Sequence, residues 1–528
     1  MGKTTLSNGK SNSGTLCLRL FFTILFFVTF IWGSFSNVLA KSQSEADASP
    51  VLTFGQVKTD SLSNASDEKW FKFDVTERGR FRINLKLNEK ANPQDINSGW
   101  DFKVYRKGDL ENALRIYKEI KDSRYSEWFG FAPDTYYICV CSNWTLTDNN
   151  APVNCPFDVM AEFQPNAAWE QEKNDIKQDA NAINTNTTYY GSLYCANDVD
   201  WYKYTVTKAG YQFVTFIPDA KECDKEKIND GWKYTIYEAD GSTEVIAYDN
   251  IISSQKSVKL PMKKGTYYIR VSAHWDINDA SSPVEQIYNL KVYEAGEANW
   301  ETEHNDSQKT ANVITFDKKF VGSTYHHHDE DWYKFIVPGK GTATISFAKA
   351  NNVNTADVHD GWKYELFASK GSDAIISKDK IIRSASNKLV LSAGTYYLKV
   401  SPSWGIADSS APTDCQYTVK ITFLSNAKIA SEFKKSTVKI SAPKVAKKKV
   451  TIKWAKNKES NGYEVYRATK KSGKYTKIAT VKGMGKVSYV DKKAKAKQIY
   501  FYKVRAYKVI DGKKVYSKYS AIKKVKAK

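Results

Sequence analysis

The sequence predicts an all-β protein: tandem β-sandwich, jelly-roll-like modules with one further sandwich at the C-terminal end. Three observations carry that expectation. Whole phrases recur at a nearly constant offset of about 131 residues. Within each copy, short runs rich in Tyr, Val, Ile and Phe alternate with polar residues between clusters of Gly, Asn and Asp, the pattern of antiparallel sandwiches. Helix-period spacing is nearly absent from the repeats. A period this long means domains in a row, because solenoid repeats run about 20–50 residues. Tandem copies of one module suit multivalent binding or spacing, whereas a single active site needs no triplication.

At the N-terminus, Lys3, Lys10 and Arg19 precede an unbroken apolar run from Leu20 to Trp32, and Val38-Leu39-Ala40 supplies a small-residue cleavage pattern. This reads as a signal peptide over 1–40. The competing reading is a membrane anchor, but the apolar stretch is shorter than the ~20 residues a spanning helix needs. No second span follows, so the mature chain is expected outside the cell without a transmembrane segment. Residues 41–50 are expected as a linker.

The first module, 51–168, is a diverged copy of the second, 169–299, and the third, 300–426. Gly191-Ser192-Leu193-Tyr194 with Asp198-Val199-Asp200-Trp201-Tyr202 returns as Gly322-Ser323-Thr324-Tyr325 with Asp329-Glu330-Asp331-Trp332-Tyr333. Trp70, Trp100, Thr135-Tyr136-Tyr137 and Trp144 keep register with Trp201, Trp232, Thr266-Tyr267-Tyr268 and Trp275. The clearest strand, Gly265 to Val271, is echoed at Gly394 to Val400. Period-two phase puts Tyr267, Ile269, Val271, Ala273 and, continued onward, Trp275 on the buried face, opposite Tyr268, Arg270 and Ser272. The same phase makes Trp100, Trp232 and Trp362 core residues, and Trp144, Trp275 and Trp404 are expected there too. Trp201 instead shares a phase with Lys203 and Thr205. Trp70, Trp201 and Trp332 are therefore expected to be semi-exposed, either stacking on a sugar ring or peptide or packing under the linker between modules.

The second and third modules each open with Glu-x-Glu-x-Asn-Asp: Glu170, Glu172, Asn174 and Asp175, then Glu301, Glu303, Asn305 and Asp306. About 25 residues later comes Asp-x-Asp, at Asp198 and Asp200 and at Asp329 and Asp331. A hard cation such as Ca²⁺ takes six to eight oxygens, and this many acids share one corner only with a cation to neutralise them. The alternative is a solvated acidic linker. Repetition of the same oxygen-bearing positions favours two calcium sites, one per module.

In the Glu-x-Glu-x-Asn-Asp opening, the Gly-Ser before Asp-x-Asp-Trp-Tyr, and the Gly-Thr-Tyr-Tyr-(Ile/Leu)-x-Val strand, the modules resemble the bacterial pre-peptidase C-terminal domain family, β-sandwiches appended to exported peptidases. The resemblance covers residues 169–424 well and 51–165 weakly. In the related collagen-binding modules of clostridial collagenases a similar opening and Asp-x-Asp loop bind calcium, which implies the same roles here. The first module departs from the pattern: nothing in 41–53 matches the opening, and Asp67-Glu68-Lys69 replaces Asp-x-Asp, so no calcium site is expected there. His326-His327-His328 are present in one copy alone and read as a loop variation rather than a metal site.

Beyond 425 the composition shifts. Residues 425–528 carry 32 of the 79 Lys and Arg and 5 of the 58 acids, while the chain before them is slightly acidic. After a linker at 427–440, residues 441–526 resemble a fibronectin type III domain through Trp454, Gly462-Tyr463-Glu464-Val465-Tyr466-Arg467, the turn Ser472-Gly473-Lys474-Tyr475, Ser488-Tyr489-Val490-Asp491, and Tyr500 to Ala506. In an exported protein such a charge is expected to meet an anionic cell-wall polymer rather than nucleic acid, although a solubilising face is the plainer alternative.

Six cysteines remain after 1–40: Cys139, Cys141, Cys155, Cys195, Cys223 and Cys415. Cys141 with Cys155, or Cys195 with Cys223, could pair; no framework repeats with the modules. No catalytic motif is present. The expectation is a non-enzymatic secreted binding protein whose repeats take polysaccharide or extracellular protein. The alternatives are a structural stalk or a non-catalytic accessory to a secreted hydrolase.

Overall fold

The computed structural model describes residues 41–142, 147, 149–275, 280–403, 407, 409–446 and 449–528. The expected signal peptide, Trp144 and Trp404 lie outside the described residues. The described residues form an all-β fold with a hydrophobic core in each module and in the C-terminal sandwich, and a smaller apolar cluster around Trp70 in the first module. No helix among the described residues is long and apolar enough to cross a membrane.

The second module shows the repeated plan. A four-stranded sheet runs in the order Thr188–Ser192, Ile287–Gly296, Gly210–Pro218, Gln255–Lys256. A five-stranded sheet runs Glu244–Ile251, Trp232–Tyr237, Gly265–Ala273, Val199–Val206, Asn181–Ala182. Pairing is antiparallel except for the short strand Asn181–Ala182, which joins Val199–Val206 in parallel. The two inner faces close over the core as in other sandwiches. In the first and third modules the strand at the matching place lies at the same point in the ladder: Lys69 faces Val140 where Asp200 faces Val271, and Asp331 faces Val400.

Trp100, Trp232 and Trp362 are fully buried, and each packs on a core aromatic, Phe157, Phe216 and Phe347 respectively. Each follows a glycine with positive φ, Gly99 at 85°, Gly231 at 78° and Gly361 at 81°. A Cβ on any of them would strike the backbone of the facing edge strand, so the turn that launches the Trp strand requires Gly. Tyr267, Ile269, Val271 and Ala273 are buried as their phase predicts. Trp275 is not: it is 54% exposed. The strand ends at Ala273, and the chain bends where the His274 N–H donates to the Gly231 carbonyl at 2.9 Å, so the two-residue alternation stops before reaching Trp275. Tyr268 and Ser272, expected to face outward, are also buried: Trp201 packs edge-on against Tyr268 and Lys177 lies over its ring, and the Arg270 guanidinium donates to the Ser272 hydroxyl at 3.1 Å.

Both stretches expected as linkers are folded onto their neighbours. Gln43–Asp47 is a short helix with a Ser42/Glu45 capping box, and its Ala46 is buried against Trp70 and Tyr105. Asn426–Lys435 is a helix capped by Ser425, and Phe433, Val438 and Ile440 belong to the C-terminal core. That last sandwich packs a three-stranded sheet, Lys444–Ala446, Lys449–Lys453 and Ser488–Asp491, against a larger one centred on Gly462–Ala468 and Ile499–Ile510. Trp454 and Tyr463 meet in its interior at 5.2 Å.

Candidate metal centres at the module junctions

The Glu-x-Glu-x-Asn-Asp segments are extended chain joined to two modules at once by isolated β-bridges. Alternate backbone groups point opposite ways along an extended chain, and here they are divided between neighbours. The Glu170 N–H donates to the Tyr190 carbonyl of the second module at 2.8 Å, while the Glu172 N–H donates back to Gly130 of the first at 2.9 Å. At the next junction Glu301 bonds Val321 at 2.9 Å and Glu303 bonds Pro261 of the preceding module at 2.7 Å. Asn174 and Asn305 then accept from the Trp201 and Trp332 N–H groups at 3.0 and 3.1 Å. The peptide bonds after Glu172 and Glu303 are cis at both junctions.

This lacing brings the predicted residues together. In the second module, ligand atoms of Glu170, Glu172 and Asp200, and of Glu172, Asp175 and Asp198, lie within 4.8 Å of one another. Glu301, Glu303 and Asp331 do the same in the third, and Glu303 also clusters with His304 and Asp306, whereas Asp329, unlike its counterpart Asp198, falls in neither group. Glu170, Glu172, Asn174, Asp198 and Asp200, with their counterparts Glu301, Glu303, Asn305, Asp329 and Asp331, are at most 5% exposed. Asp175 is half-buried and Asp306 exposed at the rim.

Each aspartate turns one oxygen to the protein and leaves the other inward. Oδ2 of Asp198 accepts from the Tyr194 N–H at 2.8 Å, and Oδ2 of Asp329 from Tyr325 at 2.9 Å. Oδ2 of Asp200 and of Asp331 accept from the Tyr288 and Tyr417 hydroxyls. Oδ1 of all four is buried without a hydrogen-bond partner, as are both side-chain atoms of Asn174 and Asn305, both oxygens of Glu172 and Oε1 of Glu303. Unpaired buried carboxylate oxygens are costly. Burial above all pushes the carboxyls up, Glu170 to about 8 and Asp331 to about 7. Glu172, Asp198, Asp200, Glu301, Glu303 and Asp329 stand well above the usual carboxylate range through burial and mutual repulsion. A donor set of carboxylate and amide oxygens without thiolate fits a hard cation.

Sequence reasoning missed the tyrosines that hold the glutamates. The Tyr202 and Tyr288 hydroxyls lie 2.7 Å apart, and Tyr202 donates to Glu170 at 2.8 Å. Tyr333 and Tyr417 repeat this on Glu301, at 2.7 and 2.6 Å. The signal was present in the repeats, because the first module has Phe71 and Phe157 at the matching positions, packed edge-on at 6.4 Å. There Lys69 stands in the place of Asp200 and pairs with Asp67 at 3.0 Å, so an ammonium sits in that corner. The conserved spacing of Gly-Ser is explained as well. A Cβ on Gly191 would lie 2.5 Å from a Glu170 oxygen and from the Tyr288 hydroxyl, and the next residue, Ser192, donates its N–H to Glu170 at 2.6 Å.

The remaining candidates are placed differently. Trp70 is buried, stacked on Tyr105 at 5.1 Å beneath the N-terminal helix, which corrects its expected exposure: the supposed linker covers it. Trp201 and Trp332 are half-buried, against Tyr237 at 5.5 Å and Phe367 at 5.4 Å, beside the entering segment. Cys139, Cys141, Cys155, Cys223 and Cys415 are free thiols.

No protein-family model matches the sequence. Over 255 residues, 44% of the chain, it is 26% identical to Collagenase ColT of Clostridium tetani (strain Massachusetts / E88). The chain covers 23% of that protein, so it spans about a quarter of the length of the curated relative it matches. Among solved structures, an Fn3-like protein from Clostridium thermocellum is 27% identical, covering 16% of this chain and 86% of that one with a TM-score of 0.14. The pre-peptidase C-terminal domain of a collagenase from Bacillus anthracis is 18% identical, covering 21% and 94% with a TM-score of 0.17.

Proposed function

We propose that this chain is a secreted, non-catalytic binding protein whose second and third modules are each locked to the module before by a calcium ion. The observation that carries this reading is the recurrence, at both junctions, of buried carboxylate and amide oxygens with no protein partner. Glu170, Glu172, Asn174, Asp175, Asp198 and Asp200 would hold one ion, and Glu301, Glu303, Asn305, Asp306, Asp329 and Asp331 the other. The ion supplies positive charge to a corner crowded with carboxylates, and binding stabilises the fold by simple linkage. Because the ligand-bearing opening segments are hydrogen-bonded to the preceding module, the same ion stiffens the array.

The repeats serve to engage an extracellular polysaccharide or fibrous protein. The cationic C-terminal sandwich holds the protein to an anionic cell-wall polymer, an attraction that salt weakens. The likeness to a stretch of a collagenase supports an accessory role beside a secreted hydrolase. A stalk reading is favoured by one further contact: Lys259 of the second module reaches the third through Asp414 at 3.0 Å and Gln416 at 3.1 Å. Calcium titration of the purified chain by calorimetry tests the proposal. Two sites per chain and a raised melting temperature are expected, and absence of binding overturns the metal assignment.

A further inference from the structure

The four-stranded sheet of the second module presents an outer face unlike its counterparts. Phe213 lies directly opposite Tyr293 in the ladder, and their rings stack at 4.6 Å with 12° between planes. Tyr211 extends the row, 6.5 Å from Phe213 and 4.6 Å from Trp300. The rings are half-buried rather than covered. Amines flank them: Lys256 is 4.4 Å from the Phe213 centroid and Lys291 is 4.2 Å from that of Tyr293.

No carboxylate occupies an outward position of these four strands. Glu294, their single acid, is turned inward, where it accepts from the Thr207 and Lys208 N–H groups. Of the acids just beyond the strand ends, Glu297 directly follows Gly296 and is exposed at the Tyr211 end of the row, near Lys259 and away from Lys256 and Lys291, and the others are engaged by protein groups. Asp219 accepts from Lys221, Glu222 and Asn289, and Glu222 pairs with Arg80 of the first module. A cationic, aromatic face on an otherwise slightly acidic array is complementary to a polymer with apolar ring faces and negative charge.

The other modules keep the core and change this face. Where the second has Tyr211, Phe213 and Tyr293, the first has Arg80, Arg82 and Glu162, with Arg82 and Glu162 paired at 2.6 Å. The third has Thr342, Thr344 and Thr422. A spacer gains nothing from three different outer faces on one core.

We propose that this face of the second module binds a carboxylated polysaccharide, with pyranose rings stacked on Phe213 and Tyr293 and uronate carboxylates met by Lys256 and Lys291. The inference rests on the reading that the repeats bind an extracellular polymer, and it fixes the module, the face and the polymer chemistry. The test measures binding of the full chain to hyaluronate, alginate and polygalacturonate oligosaccharides, with dextran and fibrillar collagen as comparators. About 0.3 M salt shortens the reach of the basic C-terminal sandwich. A Phe213→Ser/Tyr293→Ser variant is expected to lose at least tenfold in affinity for a uronate polymer while its melting profile is kept. Lys256→Gln/Lys291→Gln is expected to reduce uronate binding and leave the weaker dextran binding unchanged, and Thr344→Ser/Thr422→Ser to change neither. Uronate binding that survives the serine variant overturns the site. Equal binding of dextran, or collagen binding lost in the variant in place of uronate binding, overturns the polymer class. A wild-type chain that binds none of the polymers overturns this inference together with the polymer-binding reading of the repeats.

Discussion

Replacing Glu170 by Gln should change the stability of the second module in opposite directions with and without calcium. The carboxyl is buried, and its pKa is pushed up to about 8 by burial and by the nearby Asp198. In the unfolded chain it ionises near 4.5, so at pH 7 folding without a cation works against its ionisation. One pKa unit is worth about 1.4 kcal/mol, so keeping this group uncharged at pH 7 costs up to about 3 kcal/mol. The amide needs no such proton. Its oxygen can still accept from the Ser192 N–H, now 2.6 Å from Oε1, and its NH₂ can face the Tyr202 and Tyr288 hydroxyls. In chelator the variant should therefore be more stable than the parent, by at most about 3 kcal/mol less whatever the rearranged hydrogen bonds cost. In calcium it lacks one ligand charge. Affinity should fall at least tenfold, about 1.4 kcal/mol, and the linkage gain at a given free calcium should shrink accordingly. Scanning calorimetry of parent and variant in each condition reads both effects. A variant equally destabilised in chelator and in calcium would show that Glu170 is a satisfied structural hydrogen-bond acceptor, and the reasoning would fail.

Three further outcomes are expected. Tyr288→Phe and Tyr417→Phe should each weaken calcium at their own junction by roughly 10- to 100-fold, as loss of groups that orient ligands does, with the fold retained because Phe157 occupies the matching place in the first module; calorimetric titration decides. Trp232→Ala should cost about 3–5 kcal/mol, whereas Trp275→Ala, 54% exposed, should stay within about 0.5 kcal/mol, as read from urea midpoints. Glu127 is buried beside Arg115, Arg124 and the Tyr117 hydroxyl, facing Glu285 of the second module, and burial above all pushes it up to about 8. The folded chain thus holds a proton there that the unfolded chain loses above 4.5. Its contribution to stability is complete below that value and falls as pH rises toward 8. In saturating calcium, the change in urea midpoint between pH 5 and pH 8 should be smaller in Glu127→Gln than in the parent.

The sequence determined the architecture because its signals are local or repeat. Strand alternation and a fixed offset between copies need no knowledge of distant contacts. They were enough to place Trp100, Trp232 and Trp362 in the core and to single out the acids that meet in the clusters. Alternation failed at Trp275 because phase holds only while the strand does, and that strand ends where its partner turns away at Gly231, whose φ is 78° and whose N–H bonds Ile228. Composition likewise described 41–50 and 427–440 as linkers, whereas their few apolar residues, Ala46 and Phe433 among them, are buried by surfaces formed elsewhere in the chain. What tertiary structure alone decided is which atoms are left without partners. That depends on backbone groups of two modules and on tyrosines more than 80 residues apart converging on one corner. The number of acids could be read from the chain, but whether their oxygens were already satisfied could be read only from the fold.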